Sequence, residues 1–383
     1  MQTNNFISFF LIGIAMAGCT SGGSSSTPTS AYQFVVDAGS SGSRIYIYNK
    51  LQTESGLLIN DLYESKINTP LASFANNPED AGSQGIQPLL TSAINFMHTT
   101  ESTVNLATIP TSVLGTAGMR LITESQQAAI YQNVAATIIN NDLQLQETKT
   151  ISGQYEGLYS WADVNYLQKN FNTNTDTSGI FEVGGASAQI AFATTQAMSE
   201  SIIPALINNK LYTVYSTSFL GLGQDIARSS MNQLSDHNGC YPTGYTSVPL
   251  DINGNFNYDI CTTNYSSITA LYPEIKQVKN VQGFPAESFI GISSVYYVLH
   301  FWNIENQPGL LSQNINNTCI ESFNQITAEY PNAYKAENQC ANSVFINGMI
   351  FNDLAMKANQ LTAVDTINGI ALTWTLGYVL IQK

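Results

Sequence analysis

The spacing of apolar and polar positions divides the chain into short extended segments interleaved with helices. Residues 32–36 and 45–48, rich in β-branched and aromatic side chains, predict the two strands of a hairpin. Residues 88–98 read as a helix, and residues 108–114 as a strand running into Gly115-Thr116-Ala117-Gly118-Met119-Arg120. The next helix has a marked start: Thr123 followed by Gln126 makes a capping box, and Ala129, Ile130, Val134 and Ile138 form the expected buried stripe. A further helix follows Ile151-Ser152-Gly153-Gln154-Tyr155-Glu156-Gly157 and carries Leu158, Trp161, Val164 and Leu167 at three-residue spacing. On spacing alone, Glu156 reads as a first-turn acid that complements the helix dipole.

A second hairpin, over residues 179–192, repeats the first. Val36-Asp37-Ala38-Gly39-Ser40-Ser41-Gly42-Ser43-Arg44-Ile45 and Phe181-Glu182-Val183-Gly184-Gly185-Ala186-Ser187-Ala188-Gln189-Ile190 each run strand, acid, small-residue turn, strand. They superimpose with Asp37 over Glu182, Gly39 over Gly184 and Arg44 over Gln189. Glycine and serine let main-chain N–H groups approach phosphate oxygens without obstruction by Cβ. An acid just before such a turn repels phosphate unless a hard cation lies between them, so Mg²⁺ or Ca²⁺ is implied. Two matched copies point to two similar domains closing on one polyphosphate; a single copy would read equally well as a tight turn.

The length, 383 residues, accommodates two domains with separate cores. A formal charge of −14 and only 13 scattered Lys and Arg argue against nucleic acid as a partner. No charged residue precedes Asp37, and residues 6–17 form an apolar stretch of signal-peptide length, too short for a comfortable membrane span. The stretch ends at Ala15-Met16-Ala17-Gly18-Cys19, which resembles the lipobox of bacterial lipoproteins and makes Cys19 a candidate lipid anchor. Residues 21–30, rich in Ser, Gly and Thr, read as a tether. The remaining cysteines, Cys240, Cys261, Cys319 and Cys340, are even in number and imply two disulfides in one of three pairings. No CxxC spacing is present, and His98, His237 and His300 form no ligand-spaced cluster with the cysteines, which argues against zinc.

Five motifs in order resemble the ecto-apyrases, the nucleoside triphosphate diphosphohydrolase family: the two hairpins, Gly115-Thr116-Ala117-Gly118-Met119-Arg120-Leu121, Ile151-Ser152-Gly153-Gln154-Tyr155-Glu156-Gly157, and Trp374-Thr375-Leu376-Gly377-Tyr378. They span almost the whole chain beyond the tether, and with the export segment the chain looks like a bacterial member. The resemblance implies an α/β fold of two actin-like (RNase H-like) domains with the active site in the cleft between them. The expected boundaries are 1–19 for export, 20–31 for the tether, 32–153 plus 362–383 for the first domain and 154–361 for the second. The implied reaction is hydrolysis of nucleoside tri- and diphosphates to the monophosphate, dependent on Mg²⁺ or Ca²⁺, by an exported monomer.

Carried onto this sequence, the resemblance makes Glu156 the general base, with Ser187 and Gln189 holding the attacking water. Phosphate contacts fall to Gly39, Ser40, Ser41, Gly42, Ser43, Thr116, Gly184, Gly185 and Ala186, joined by Arg44 and Arg120. Asp37 and Glu182 take the positions that hold the water shell of the metal, Glu182 standing where many relatives have aspartate. Tyr296, Tyr297 and Phe345 match segments whose aromatics sandwich the nucleobase. A stacking site tolerates every base, so broad nucleotide specificity is expected. No histidine lies in the five motifs, and direct attack by water fits better than a phosphoenzyme. The rival readings are an exopolyphosphatase or guanosine pentaphosphatase, which shares the acid-glycine hairpins, and a non-hydrolytic actin-like nucleotide binder, which needs no base at Glu156.

Overall fold

The computed structural model describes residues 30–53, 56–172, 176–284 and 287–381; the expected export segment, Cys19 and the tether up to residue 29 lie outside them. Two sheets of like plan form the frame. The first has the order β3-β2-β1-β4-β5, built from β1 (Ser30–Ala38), β2 (Ser43–Thr53), β3 (Gly56–Ile67), β4 (Pro110–Gly115) and β5 (Gln144–Thr150). Strands β1, β2 and β3 are antiparallel neighbours, whereas β4 and β5 continue parallel to β1.

The second sheet repeats this arrangement. It uses β6 (Gly179–Val183), β7 (Ser187–Ala193), β8 (Ile202–Ile207) and β9 (Lys210–Leu220), then, beyond a ribbon of β10 (Thr246–Ser247) and β11 (Ile252–Asn253), β12 (Phe289–Ser293) and β13 (Leu361–Ala363). Its order is β13-β12-β6-β7-β9-β8, with β6, β7, β9 and β8 antiparallel and β12 and β13 parallel to β6. The duplication seen in the hairpins therefore extends to the sheets: β1 matches β6, β2 matches β7, and β4 matches β12. The fold is mixed α/β, as expected.

Alternation along the strands sorts side chains onto opposite faces. Phe34, Val36, Ala38, Ile45 and Ile47 face helices α1 (Gln87–Thr100) and α3 (Glu124–Asn140), the short α2 (Ala117–Arg120) lying between them in sequence. The Thr123 capping box forms as expected, and Ile130, Val134 and Ile138 are buried; Tyr131 joins them in place of Ala129, which is half-buried. In the second sheet Phe181, Val183, Ile190 and Phe192 face a larger core with α5 (Gln224–Met231), α6 (Tyr258–Thr269), α7 (Ser294–Phe301), α8 (Leu311–Thr318), α9 (Phe323–Glu329) and α10 (Ala336–Asn347). Disulfides Cys240–Cys261 and Cys319–Cys340 tie elements of this region together, each pairing nearest neighbours in sequence.

The remaining faces look at each other across a shared core. Val35, Tyr46, Tyr48 and Leu114 of the first sheet and Ile180, Ala191, Ala205 and Val214 of the second enclose α4 (Gly153–Leu167) and α11 (Trp374–Ile381). The three-residue spacing in α4 predicted one apolar stripe, yet residues 156–165 are all buried. A helix packed between two sheets has no solvent face, so its polar side chains must find partners inside the protein. Among the described residues, no helix is long and apolar enough to cross a membrane.

Candidate active site

Register makes the two hairpins equivalent. Asp37 pairs directly with Arg44 across β1 and β2, and Glu182 with Gln189 across β6 and β7. The turns then meet other motifs at Ser40. A Cβ on Gly118 would lie 3.0 Å from Ser40 Cα, and one on Gly185 would lie 2.7 Å from Ser40 Oγ and 3.1 Å from Asp225 Oδ2. Ser40 is thus seated between Gly118 and Gly185, and any side chain at either glycine would intrude on it. Thr116 is buried beside the first turn, its N–H donating to Ala38 at 3.2 Å. The carbonyls of Gly184 and Gly185 accept the N–H groups of Gln224, Asp225 and Ile226 at the start of α5, which fixes the second turn.

Beside these turns the Glu156 carboxylate, on the first turn of α4, is salt-bridged by Arg120. The same guanidinium donates to Ser187 Oγ at 3.4 Å and to Ser218 Oγ at 3.4 Å. Gln189 Nε2 reaches Ser187 Oγ at 2.5 Å, Ser218 Oγ at 3.1 Å and Glu156 Oε2 at 3.3 Å. The three residues expected to carry the chemistry, Glu156, Ser187 and Gln189, therefore form one cluster, with Arg120 at its centre. Burial pushes Glu156 up to about 8 against the pull of Arg120, with the charges of Glu182 and Asp37 adding to the rise.

The two hairpin acids feel one another. Burial pushes Asp37 up to about 7; Arg44 opposes this, Glu182 reinforces it, and the nearby indole of Trp374 lowers it. Glu182 is raised by burial although Ser160 Oγ donates to it at 2.8 Å and Ser293 Oγ at 3.1 Å. Asp37 Oδ1 is sealed from solvent and has no hydrogen-bond partner. Two half-buried, mutually repelling carboxylates with an unmatched oxygen suit a hard divalent cation, whose charge would offset both. Among the described residues no three His, Cys, Asp or Glu side chains converge as a ready-made cage. The donor set accordingly fits a cation that keeps its own water molecules and shares phosphate oxygens.

Sequence reasoning missed the serines. Ser160 lies one turn beyond Glu156 on the same face of α4, a placement detectable only once Glu182 is known to approach it. Ser218 sits on β9 and opens the segment Ser218-Phe219-Leu220-Gly221-Leu222-Gly223-Gln224-Asp225, which stands out in the sequence without pointing to a role for its serine. Ser293 holds φ 58°, uncommon for a residue other than glycine, at the junction of β12 and α7 where its hydroxyl meets Glu182.

The aromatic candidates separate. Tyr297 on α7 is 62% exposed, and the half-buried Tyr296 stacks on His300 with ring centroids 5.1 Å apart. Phe345 is corrected: at 1% exposure it packs on Tyr265 in the core of α6 and α10, with no open face for a base. The neighbourhood of Cys340 that resembled a base-binding segment is, at Phe345, ordinary hydrophobic packing.

The profile of the GDA1/CD39 (nucleoside phosphatase) family matches residues 25–383. Probable apyrase 3 of Arabidopsis thaliana is 26% identical, the alignment covering 90% of this chain and 81% of that protein. Ectonucleoside triphosphate diphosphohydrolase 2 of Gallus gallus is 25% identical over 97% of this chain and 86% of its own. Among solved structures, a nucleoside triphosphate hydrolase from Neospora caninum superimposes with a TM-score of 0.66 at 16% identity, over 92% of each chain. A PPX-GPPA enzyme of Aquifex aeolicus gives 0.56 at 11% identity, over 92% of this chain and 100% of that one. At these identities the structural matches speak for the fold, and they agree with an actin-like arrangement of the two sheets.

Proposed function

The chain belongs to the GDA1/CD39 (nucleoside phosphatase) family, and from that premise we propose that it hydrolyses nucleoside tri- and diphosphates to the monophosphate and phosphate between its two hairpins. The observation that carries this reading is the convergence of Glu156, Ser187 and Gln189 beside two glycine-lined turns. A pure nucleotide binder has no use for a buried carboxylate at that place.

In the proposed reaction, the N–H groups around Gly39, Ser40, Ser41, Gly42 and Ser43, with Gly184, Gly185 and Ala186, cradle the phosphate oxygens, and Thr116 and Arg44 add contacts. Arg120 turns from Glu156 to the terminal phosphoryl group, which leaves room for a water held by Ser187 and Gln189. Glu156 accepts a proton from that water as its oxygen bonds to phosphorus in line with the breaking bond. The electron pair of the cleaved P–O bond departs on the nucleotide oxygen. Mg²⁺ or Ca²⁺, held by Asp37 and Glu182 through water, would neutralise charge on the bridging phosphate oxygens. No covalent enzyme intermediate is needed.

Residues 32–153 with 362–383, and residues 154–361, are proposed as the two lobes, each with one hairpin. Export is proposed from the apolar stretch ahead of Cys19, supported by the two disulfides, which persist in oxidising compartments. Tyr297, and Tyr296 beside it, are proposed to stack on the base. The test is phosphate release from ATP and ADP with Mg²⁺, repeated with Glu156→Gln. Loss of activity by roughly 10²- to 10⁴-fold with the fold retained is expected; unchanged turnover, or a phosphoenzyme trapped with labelled ATP, would overturn the mechanism.

A further inference from the structure

Helix α4 meets both hairpin acids, one directly and one by a relay. Ser160 donates to Glu182 at 2.8 Å. Asp163, less than one turn further along α4, accepts the N–H of Thr373 on Oδ2 at 2.8 Å, just ahead of α11. The indole of Trp374, the next residue, lies near enough to Asp37 to pull its carboxyl group down against the rise that burial causes. Glu156, Ser160 and Asp163 follow one another at i, i+4 and i+7, so one face of one helix presents the base and the supports of both acids.

The junction is built for rigidity. Helices α4 and α11 touch backbone to backbone: a Cβ on Gly377 would lie 1.9 Å from the Tyr159 carbonyl oxygen. One helical turn from that contact on both elements, Asp163 meets Thr373. Thr373 Oγ1 hydrogen-bonds Thr375 Oγ1 at 3.0 Å, and Thr375 Oγ1 bonds the Tyr48 hydroxyl on β2 at 2.7 Å. Asp163 itself is 1% exposed, and its Oδ1 has no hydrogen-bond partner. A buried carboxyl group with a single backbone donor is costly to keep for packing alone.

We propose that Asp163 is a positioning residue that sets the carboxylate of Asp37 for cation binding, through Thr373 and the indole of Trp374. It rests on the reading of Asp37 and Glu182 as the cation-holding acids. Supports of this kind, one step behind a metal-binding group, typically change metal affinity 10- to 100-fold when removed. The acceptor oxygen Oδ2, facing the Thr373 N–H, does the positioning; burial, with Asp61 and Glu182 as like-charged neighbours, holds the Asp163 carboxyl group well above the usual carboxylate range.

The experiment measures Mn²⁺ affinity by electron paramagnetic resonance on the full chain with α,β-methylene-ADP bound. Asp163→Ala and Trp374→Phe are expected to weaken Mn²⁺ binding about tenfold or more. Asp163→Asn, which keeps an oxygen facing the Thr373 N–H, is expected to stay within about threefold of the unaltered protein, well short of that loss. Asp37→Asn and Glu182→Gln serve as references. If the references lose binding while Asp163→Ala and Trp374→Phe do not, the relay is overturned and the cation site stands. If the references bind Mn²⁺ undiminished, the cation site and the relay both fall. Should Asp163→Ala fail to fold, Trp374→Phe decides, since it leaves the crossing of α4 and α11 intact; undiminished binding in it overturns the relay. Loss in Asp163→Asn equal to that in Asp163→Ala also overturns it, because the acceptor is then not what matters.

Discussion

The Arg120 guanidinium is salt-bridged to the Glu156 carboxylate, both side chains being largely buried at 15% and 9% exposure. Removing one partner of such a pair strands the other in a poorly solvated site, which typically costs about 3–5 kcal/mol. Arg120→Gln is therefore expected to lower the urea midpoint clearly, and Arg120→Gln with Glu156→Gln to recover most of that loss. Simple addition of the two single effects would show that the groups are not coupled.

Cation-free protein should lose stability as pH rises. Asp37 at about 7 and Glu156 at about 8 lie above the unfolded values near ~4, so between ~4 and 8 the native state holds more protons than the unfolded chain. Unfolding free energy then falls with rising pH across that window and levels off above it. The groups facing these acids are Glu182, which adds to the rise, and Arg44 and Arg120, which oppose it. Added Mg²⁺ is expected to raise the melting temperature more at pH 8 than at pH 5. A melting temperature in EDTA that climbs from pH 5 to pH 8 would contradict the assignment.

What the sequence made legible was local or repeated. The hairpins could be aligned because acid, turn and polar partner recur at fixed spacing, and Asp37 with Arg44 and Glu182 with Gln189 do pair across their strands. The Thr123 capping box needs only four residues and forms as read. The burial of α4 on every side over residues 156–165 was not legible, because it depends on a second sheet arriving from a distant part of the chain. Ser160 and Ser293 matter through Glu182, a contact that no local pattern encodes. Phe345 failed for a related reason: an aromatic on a helix reads the same whether it faces a ligand or Tyr265.

The two aromatic candidates should part company on substitution. Phe345→Ala removes a fully buried ring and is expected to cost about 3–5 kcal/mol of stability, while the Michaelis constants of the surviving folded protein stay unchanged. Tyr297→Ala removes an exposed ring and is expected to leave the urea midpoint nearly unmoved. If Tyr297 stacks on the base, its loss raises the Michaelis constant for ATP, GTP and UTP alike, by an amount equivalent to about 1–3 kcal/mol. An effect on one base only would point to hydrogen-bonded readout, and no effect on any would remove Tyr297 from the site.

The disulfides make a separate prediction about the second sheet's helical cover. Cys240–Cys261 and Cys319–Cys340 each span 21 residues, and all four cysteines belong to the core that includes Phe345, Tyr265 and Val298. Closing a loop of that size restricts the unfolded chain by an amount worth about 3 kcal/mol per bridge. The bridges pin α6 and α10, whereas Glu156, Ser187 and Gln189 are held by α4 and β7. Replacing one cysteine pair by serine should thus lower stability by about that amount, with ATP turnover at a temperature well below the transition nearly unchanged. Urea titrations followed by tryptophan fluorescence, alongside phosphate release from the same samples, check both halves. Turnover lost in step with the bridge, before any unfolding, would mean that the helical cover is coupled to the catalytic cluster.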